Sequence, residues 1–204
     1  MTAPANRPDH DIITAAIKPG ARVLDVGCGD GTLMERLKQQ SQASVRGMEL
    51  SQEGVNACVA KGLSVVQGDA DADLALYPND AFDVVVLSRT IQATRKPEEV
   101  LAQMRRIGQT AIVSLPNFGF WQVRLALLTT GKMPITKGLP ENWHTTENVH
   151  LCTMLDFATL AHDCGFKIQS VTRIANGRAD GPHPRATPWL NWLSEEAVFV
   201  LDRA

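Results

Sequence analysis

The chain carries no strong charge of either sign. Its 20 lysines and arginines are nearly balanced by 22 aspartates and glutamates, which leaves a formal net charge of -2. Bulk electrostatic attraction to nucleic acid or to an anionic membrane is therefore not expected. No apolar run approaches membrane-spanning length, and the polar residues 1–9 lack the apolar core of a secretory signal. We expect no nucleic-acid partner, no membrane association and a cytoplasmic location.

Cysteine is also scarce, and its spacing indicates no bridge or metal site. The four cysteines form no C-x-x-C pair. Without an export signal, we expect all of them to be free thiols in a reducing compartment. Histidine, aspartate and glutamate form no cluster with metal-ligand spacing. We therefore predict that the chain holds no metal.

What the sequence does contain is an alternation of short apolar strands and amphipathic helices. With 204 residues, of which 44% are apolar, the chain can bury one sizeable core, and we interpret residues 1–204 as a single domain. Strands are predicted at 22–26, 45–50, 63–67, 84–87, 110–115, 166–174 and 196–201. Helices are predicted at 10–17, 32–40, 52–60, 97–106, 120–128 and 155–164. This order indicates an α/β fold with a doubly wound, mostly parallel sheet.

Two segments depart from this alternation. Residues 131–150 form a long stretch without strand or helix periodicity, which is typical of a functional lid or loop. Residues 175–192 form a C-terminal excursion that begins with many glycines and prolines. Trp189 and Trp192 are three residues apart and would share one face of a helix. Tryptophan is enriched at interfaces but also packs in cores, so both alternatives stay open.

The stretch around which the chain is organised, 22–31, is a buried strand followed by a glycine-rich turn and a helix start. Asp25 lies in the strand, and three glycines follow at alternate positions. Glycine permits positive φ and lets a ligand approach the main chain, so this pattern indicates a nucleotide-binding element. A dinucleotide fold would need a third glycine or alanine at Thr32. The G-x-G-x-G run behind an acid instead resembles the first motif of S-adenosylmethionine (SAM) methyltransferases of the Rossmann-like type.

Two further acids follow the next strands. Glu49 ends the second strand 24 residues after Asp25, which is close to the roughly 20-residue spacing of the acid that binds ribose hydroxyls. A carboxylate suits this role because it accepts two hydroxyl donors at once. Asp69 follows the third strand, where the methyltransferase pattern has an acid that accepts from the adenine amino group. An ordinary strand-end acid and a turn acid are the alternatives for these two residues.

The resemblance to SAM methyltransferases implies a ligand, a fold and a set of binding residues. The ligand is SAM or S-adenosylhomocysteine. The fold is the class I methyltransferase fold, with seven strands of which the last is antiparallel. The predicted cofactor-binding residues are Asp25, Gly27, Cys28, Gly29, Gly31, Glu49, Leu50, Asp69, Ala70 and Ser88.

Four runs of residues narrow the resemblance further. Residues 23–33, 87–93, 114–119 and 148–153 resemble the MetW family of methionine-biosynthesis proteins. The last of these runs, Asn-Val-His-Leu-Cys-Thr, belongs to no general methyltransferase motif. Arg89 and Phe120 depart from the family pattern, in which glutamine and histidine are expected. The resemblance implies that a MetX-type homoserine O-acyltransferase is the partner.

The residues leave the activity of the chain itself open. It lacks the G-x-S-x-G nucleophile elbow that would be needed for it to be the acyltransferase. Three hypotheses stand: an accessory protein that binds SAM and supports the acyltransferase, an active small-molecule methyltransferase, and a fold that has lost the ligand. His144 and His150 are the candidates for a general base, since histidine titrates nearest neutral pH. The alternative for His150 is that it fixes its loop to the sheet.

Overall fold

A computed structural model describes residues 7–136 and 139–203 of the chain. The polar residues 1–6, positions 137 and 138 of the predicted lid, and residue 204 lie outside the described residues. The strands are β1 (Arg22–Val26), β2 (Ser44–Glu49), β3 (Val65–Gln67), β4 (Phe82–Ser88), β5 (Gly108–Pro116), β6 (Phe166–Ala175), β7 (Arg178–His183) and β8 (Glu196–Arg203). The helices are α1 (Pro8–Ala16), α2 (Thr32–Gln40), α3 (Gln52–Ala60), α4 (Pro97–Ile107), α5 (Trp121–Thr130), α6 (Met154–Asp163) and α7 (Pro188–Leu193).

All the strands belong to one sheet with the order β3-β2-β1-β4-β5-β8-β6-β7. Strands β3, β2, β1, β4 and β5 are parallel to one another, and β8 runs antiparallel between β5 and β6. This arrangement confirms the predicted α/β methyltransferase fold with an antiparallel last strand. Reversal of strand order beside β1 leaves a crevice at the carboxyl ends of the parallel strands, where ligands bind in such sheets.

Over the described ranges the sheet has eight strands in place of the predicted seven. The additional strand, β7, lies in the segment interpreted as an excursion and pairs antiparallel with β6. Asn176 and Gly177 join the two strands with φ of 53° and 72°. Asn-Gly is the preferred pair for such a two-residue hairpin, because both central residues need positive φ. The Asn-Gly pair in the sequence indicates this hairpin, but the many prolines and glycines around it favoured an irregular segment.

The core lies on both faces of the sheet. Leu24 belongs to a cluster with Leu101 of α4 and Phe157 of α6, whereas its neighbour Val23 packs with Ile13 of α1 on the opposite face. Successive residues of a strand point to opposite faces, so a strand covered on both sides must be continuously apolar. This is why the run 84–87 in β4 is buried throughout, as predicted.

The two irregular segments of the sequence differ in structure. At the described positions of 131–150 there is neither helix nor strand, and the segment is bound to the turn after β4, where the Val149 N–H donates to the Gln92 carbonyl. Residues 175–192 instead contain β7 and most of α7. Trp189 and Trp192 on α7 are 69% and 42% exposed, so the core alternative for them is wrong. Among the described residues, no helix combines the length and apolar character needed to cross a bilayer.

Candidate functional site

The glycine-rich turn after β1 is bound to the end of β2. The N–H groups of Gly27 and Cys28 both donate to the Met48 carbonyl, at 2.8 and 3.1 Å. Gly27 has φ of +71°, and a Cβ there would lie 2.6 Å from Oγ1 of Thr90. Glycine is therefore required at position 27 both by backbone conformation and by the close approach of the β4 end. At Gly29, with φ of +55°, a Cβ would meet nothing within 4 Å.

Glu49 at the end of β2 holds this turn in place. Its Oε2 accepts from the Gly29 N–H at 2.9 Å, and its Oε1 accepts from the N–H and hydroxyl of Ser51 at 2.9 and 2.8 Å. Helix α3 approaches so closely that a Cβ on Gly54 would lie 2.7 Å from Cγ of Glu49. Sequence reasoning missed Gly54. Its signal is a glycine inside a helix, which costs about 1 kcal/mol relative to alanine and so indicates a packing constraint.

A cavity of about 720 Å³ opens at the carboxyl ends of β1, β2, β3 and β4, and we call it the first cavity. Six of the ten predicted cofactor-binding residues line it: Gly27, Gly29, Glu49, Leu50, Asp69 and Ala70. Within the described part of the chain, the other four, Asp25, Cys28, Gly31 and Ser88, lie outside its lining. The structure thus brings the glycine turn, Glu49 and Asp69 to one cavity. The ribose role of Glu49, inferred from its spacing, stays a prediction.

Cys28 and Gly31 face away from the first cavity. The Cys28 thiol is buried 3.8 Å from the thiol of Cys58 on α3. A Cβ on Gly31 would lie 2.4 Å from the Leu63 side chain, so this glycine permits α3 to pack against the start of α2. Both residues therefore support the shape of the turn. A direct contact with a ligand at either position stays a prediction.

Asp25 is a buried carboxylate without a hydrogen-bond donor. Its side chain is 1% exposed, and neither carboxylate oxygen has a partner among the described residues. Burial raises its pKa to about 7; the charge of Glu49 acts in the same direction, and the charge of Arg7 opposes it. An unpaired buried carboxylate of this kind is costly to keep charged and suits a cationic ligand group.

Ser88 belongs to a polar cluster formed with the start of α1. Its hydroxyl accepts from Arg7 at 2.8 Å and lies 3.0 Å from Oδ2 of Asp9, which also accepts from the Ser114 hydroxyl at 3.2 Å. Burial alone would raise the pKa of Asp9, but its hydrogen bond and ion pair with Arg7 hold that pKa well below the usual range. The hydroxyl of Ser88 is thus engaged by protein groups.

Asp69 lines the first cavity but already has partners for both oxygens. Oδ2 lies 2.5 Å from Nη2 of Arg95, and Oδ1 accepts from the Asp71 N–H at 2.9 Å. Its role as an adenine acceptor stays a prediction. Arg95 and Glu147 are further lining residues that sequence reasoning missed. They come from loops, whose positions have no periodicity to reveal them.

Arg89 lies between the first cavity and a second one. Its backbone has φ of +56°, which is uncommon for a residue other than glycine. One guanidinium nitrogen lies 2.6 and 2.7 Å from the two carboxylate oxygens of Glu196 at the start of β8. Burial raises the pKa of Glu196, and the charge of Arg89 opposes this rise. The pair fixes Arg89 where it lines both cavities.

The second cavity has about 550 Å³ and is formed largely by the described residues of 131–151, together with Pro116 at the end of β5 and Phe118 after it. His144 and His150, the candidates for a general base, are absent from the described lining of both cavities. The N–H of His150 donates to the Gln92 carbonyl at 3.0 Å. This is a backbone bond that any residue could make, and the His150 ring lies 3.4 Å from the Arg95 carbonyl through Nε2. Both alternatives for His150 stay predictions.

Comparison with protein families gives one match that spans nearly the whole chain. The family model for the methionine biosynthesis protein MetW matches residues 7–201. The chain belongs to the MetW family. The resemblance read from the four sequence runs is thereby confirmed.

Curated relatives of this MetW-family chain include a fused protein and several methyltransferases. The bifunctional methionine biosynthesis protein MetXA/MetW of Rhodopirellula baltica is 33% identical over 161 residues, which is 74% of this chain and 26% of that protein. A ubiquinone biosynthesis O-methyltransferase of Azoarcus sp. is 34% identical over 50% of this chain and 46% of its own length. The matched stretch thus spans about a quarter to a half of these relatives.

Solved structures support the fold of the MetW-family chain. A chain from the complex between the Haloferax volcanii Trm112 methyltransferase activator and the putative methyltransferase matches with a TM-score of 0.71 at 16% identity, over 97% of this chain and 90% of that one. A SAM-dependent methyltransferase from Mesorhizobium loti matches with a TM-score of 0.69 at 19% identity, over 97% and 98%. At such identities the likeness establishes the class I methyltransferase fold.

Proposed function

We propose that the first cavity binds SAM or S-adenosylhomocysteine. The observation that carries this proposal is the convergence of the glycine turn, Glu49 and Asp69 on one cavity at the carboxyl ends of parallel strands. The cavity volume of about 720 Å³ falls in the range of roughly 300–1,000 Å³ that is usual for small-molecule sites. The class I methyltransferase fold supports the choice of ligand.

The residues of the site fit the chemistry of this ligand. SAM carries a sulfonium and an ammonium. The side chain of Asp25 lies outside the described lining of the first cavity, buried without a partner among the described residues, so it would favour a cation there by its charge and not by direct contact. Glu49 presents a carboxylate at the cavity wall that can accept from ribose hydroxyls. At Gly29 the open space above the backbone lets a ligand lie against the main chain. SAM supplies an activated methyl group when bound; the residues named here bind and orient it.

We further propose that the chain acts as an accessory protein of a MetX-type homoserine O-acyltransferase. Support comes from membership of the MetW family and from the relative whose name joins MetXA and MetW in one bifunctional protein. SAM is made from methionine, so a SAM-binding protein on the entry enzyme of the pathway would report the level of end product. Such regulation requires SAM to bind the free and the complexed chain with different affinities.

The test is the rate of the acyltransferase with and without this chain, each at several SAM concentrations. Release of coenzyme A from acyl-coenzyme A and homoserine measures the rate. We expect the chain to raise the rate and SAM to change the size of that effect. The Gly29→Val variant should still raise the rate but should lose the response to SAM. An acyltransferase rate that is identical with and without the chain would contradict the accessory role.

The alternative is that the chain is an active methyltransferase. The relatives named as ubiquinone biosynthesis O-methyltransferases favour this alternative. It predicts that the purified chain forms S-adenosylhomocysteine from SAM when it is given cell metabolites. The accessory role and the methyltransferase activity both require SAM binding, which calorimetric titration measures. The third hypothesis, a fold that has lost its ligand, predicts no binding. Absence of binding heat, together with an unchanged unfolding temperature in saturating SAM, would establish that third reading.

A further inference from the structure

The second cavity combines apolar walls with two carboxylates. Its apolar lining includes Phe118 after β5 and a group of side chains from the long loop: Met133, Ile135, Leu139, Trp143, Val149 and Leu151. Its volume of about 550 Å³ suits a small molecule better than a segment of protein chain. It lies beside the first cavity, with which it shares Arg89 and Glu147.

The charges in the wall of the second cavity are unequal. Arg89 is the one cation in its described lining, and Glu196 compensates it at 2.6 Å. Glu141 and Glu147 also line the cavity, and neither takes part in an ion pair within the described residues. Within residues 7–136 and 139–203, the wall therefore has two carboxylates without a compensating cation. Trp143 adds an aromatic ring, whose face attracts cations.

We propose that the second cavity is a ligand site for a small organic cation, an amine with an apolar body. The apolar part would pack against Phe118 and the loop side chains, and the ammonium would lie near Glu147 and Trp143. Carboxylate and aromatic groups are the usual recognition elements for such cations. The proposal concerns binding alone and stands whether or not SAM occupies the first cavity.

Three matched probes test the proposal: phenethylamine, its neutral analogue 2-phenylethanol and the anion 3-phenylpropanoate. They share a phenyl group and differ in charge. We expect calorimetry without SAM to show that the amine binds about tenfold more tightly than the alcohol, since a charged partner is worth at least one such factor. The anion should bind more weakly than the alcohol. Raising the salt from about 0.05 to about 0.5 M should weaken binding of the amine, strengthen binding of the anion and leave the alcohol unchanged, because salt screens attraction and repulsion alike.

Variants locate the site. Glu147→Gln should reduce affinity for the amine by about tenfold and leave affinity for the alcohol unchanged. Trp143→Ala should weaken both probes, because it removes apolar wall and aromatic face together. Glu98→Gln, an exposed glutamate in the first turn of α4 and outside the lining, is the matched control and should change neither.

Several results would overturn the proposal. Equal affinity for the amine and the alcohol would show an apolar site without selection for charge, and no binding of any probe would remove the site. Amine binding that survives both Glu147→Gln and Trp143→Ala would place the amine elsewhere. If sedimentation shows a dimer that Trp143→Ala abolishes, the occupant is a second copy of this chain. Gly29→Val should leave amine binding intact. Amine binding and SAM binding are therefore tested independently, and failure of the SAM proposal would not remove the amine site.

Discussion

Replacement of Asp25 by asparagine should make the stability of the free protein less dependent on pH. The Asp25 side chain is 1% exposed, and burial raises its pKa from 3.8 to about 7. The folded state therefore holds this proton more tightly than the unfolded state does. The stabilising contribution is fully present below about pH 4 and is lost as the pH rises to about 7.

The size of the effect follows from the shift in pKa. A change from 3.8 to about 7 is roughly three units, and each unit corresponds to about 1.4 kcal/mol. The free energy of unfolding should fall by about 4 kcal/mol through this group, of which about 3 kcal/mol lies between roughly pH 5 and pH 8. The asparagine amide itself lacks partners, which adds a cost of about 1–3 kcal/mol that is independent of pH. The pH dependence of the difference between the two proteins is therefore the quantity to measure.

Urea denaturation of both proteins at several pH values, without SAM, provides this measurement. We expect Asp25→Asn to gain on the wild type steadily as the pH rises. Asp163→Asn is the matched control, since its side chain is 68% exposed at the end of α6. Solvent screens this exposed carboxylate, so the substitution should change stability far less than Asp25→Asn does. Parallel curves for Asp25→Asn and the wild type would refute the reasoning, because Asp25 would then titrate in the folded state as it does in the unfolded chain.

Three further substitutions test the site. Gly29→Val should abolish SAM binding in calorimetry. The control Gly20→Val changes a glycine of similar φ (+76°) in equally open surroundings, and it should lower stability without changing SAM binding. Loss of SAM binding in both variants would contradict the placement of the ligand. Glu49→Ala should weaken SAM binding by a few kcal/mol at most, and an unchanged affinity would move the ligand out of the first cavity. Arg89→Ala should cost about 3–5 kcal/mol in chemical denaturation, because it leaves Glu196 buried without its partner. Adding Glu196→Gln to it should recover part of that loss, and no recovery would show that pairing is not the cause.

Much of the site was predictable because it lies on regular elements. The acids at positions 25 and 49 could be found from their strands, and the alternate glycines from the turn between β1 and α2. In a parallel sheet the carboxyl ends of neighbouring strands meet at one edge, so adjacent strand ends become adjacent groups in space. Local pattern and tertiary position therefore agree at Gly27, Gly29 and Glu49.

Other parts of the site were not predictable from pattern. Arg89 could be noted as a departure from the family, but its ion pair spans 107 residues to Glu196. Ser88 was placed at the correct sheet edge, yet Arg7 and Asp9 at the start of α1 engage its hydroxyl. Pairings of this kind depend on how α1 and β8 pack against β4, and no periodicity in the sequence records that packing.

By itself the sequence determined the family, the class of fold and the group of strand ends that form the first cavity, because hydrophobic period and turn chemistry are local properties. Only the tertiary structure decided which of the predicted residues line that cavity, which support it from behind, and that the loop after α5 encloses a second cavity beside the first. These outcomes depend on side-chain directions and on contacts between distant segments, which are settled when the core packs.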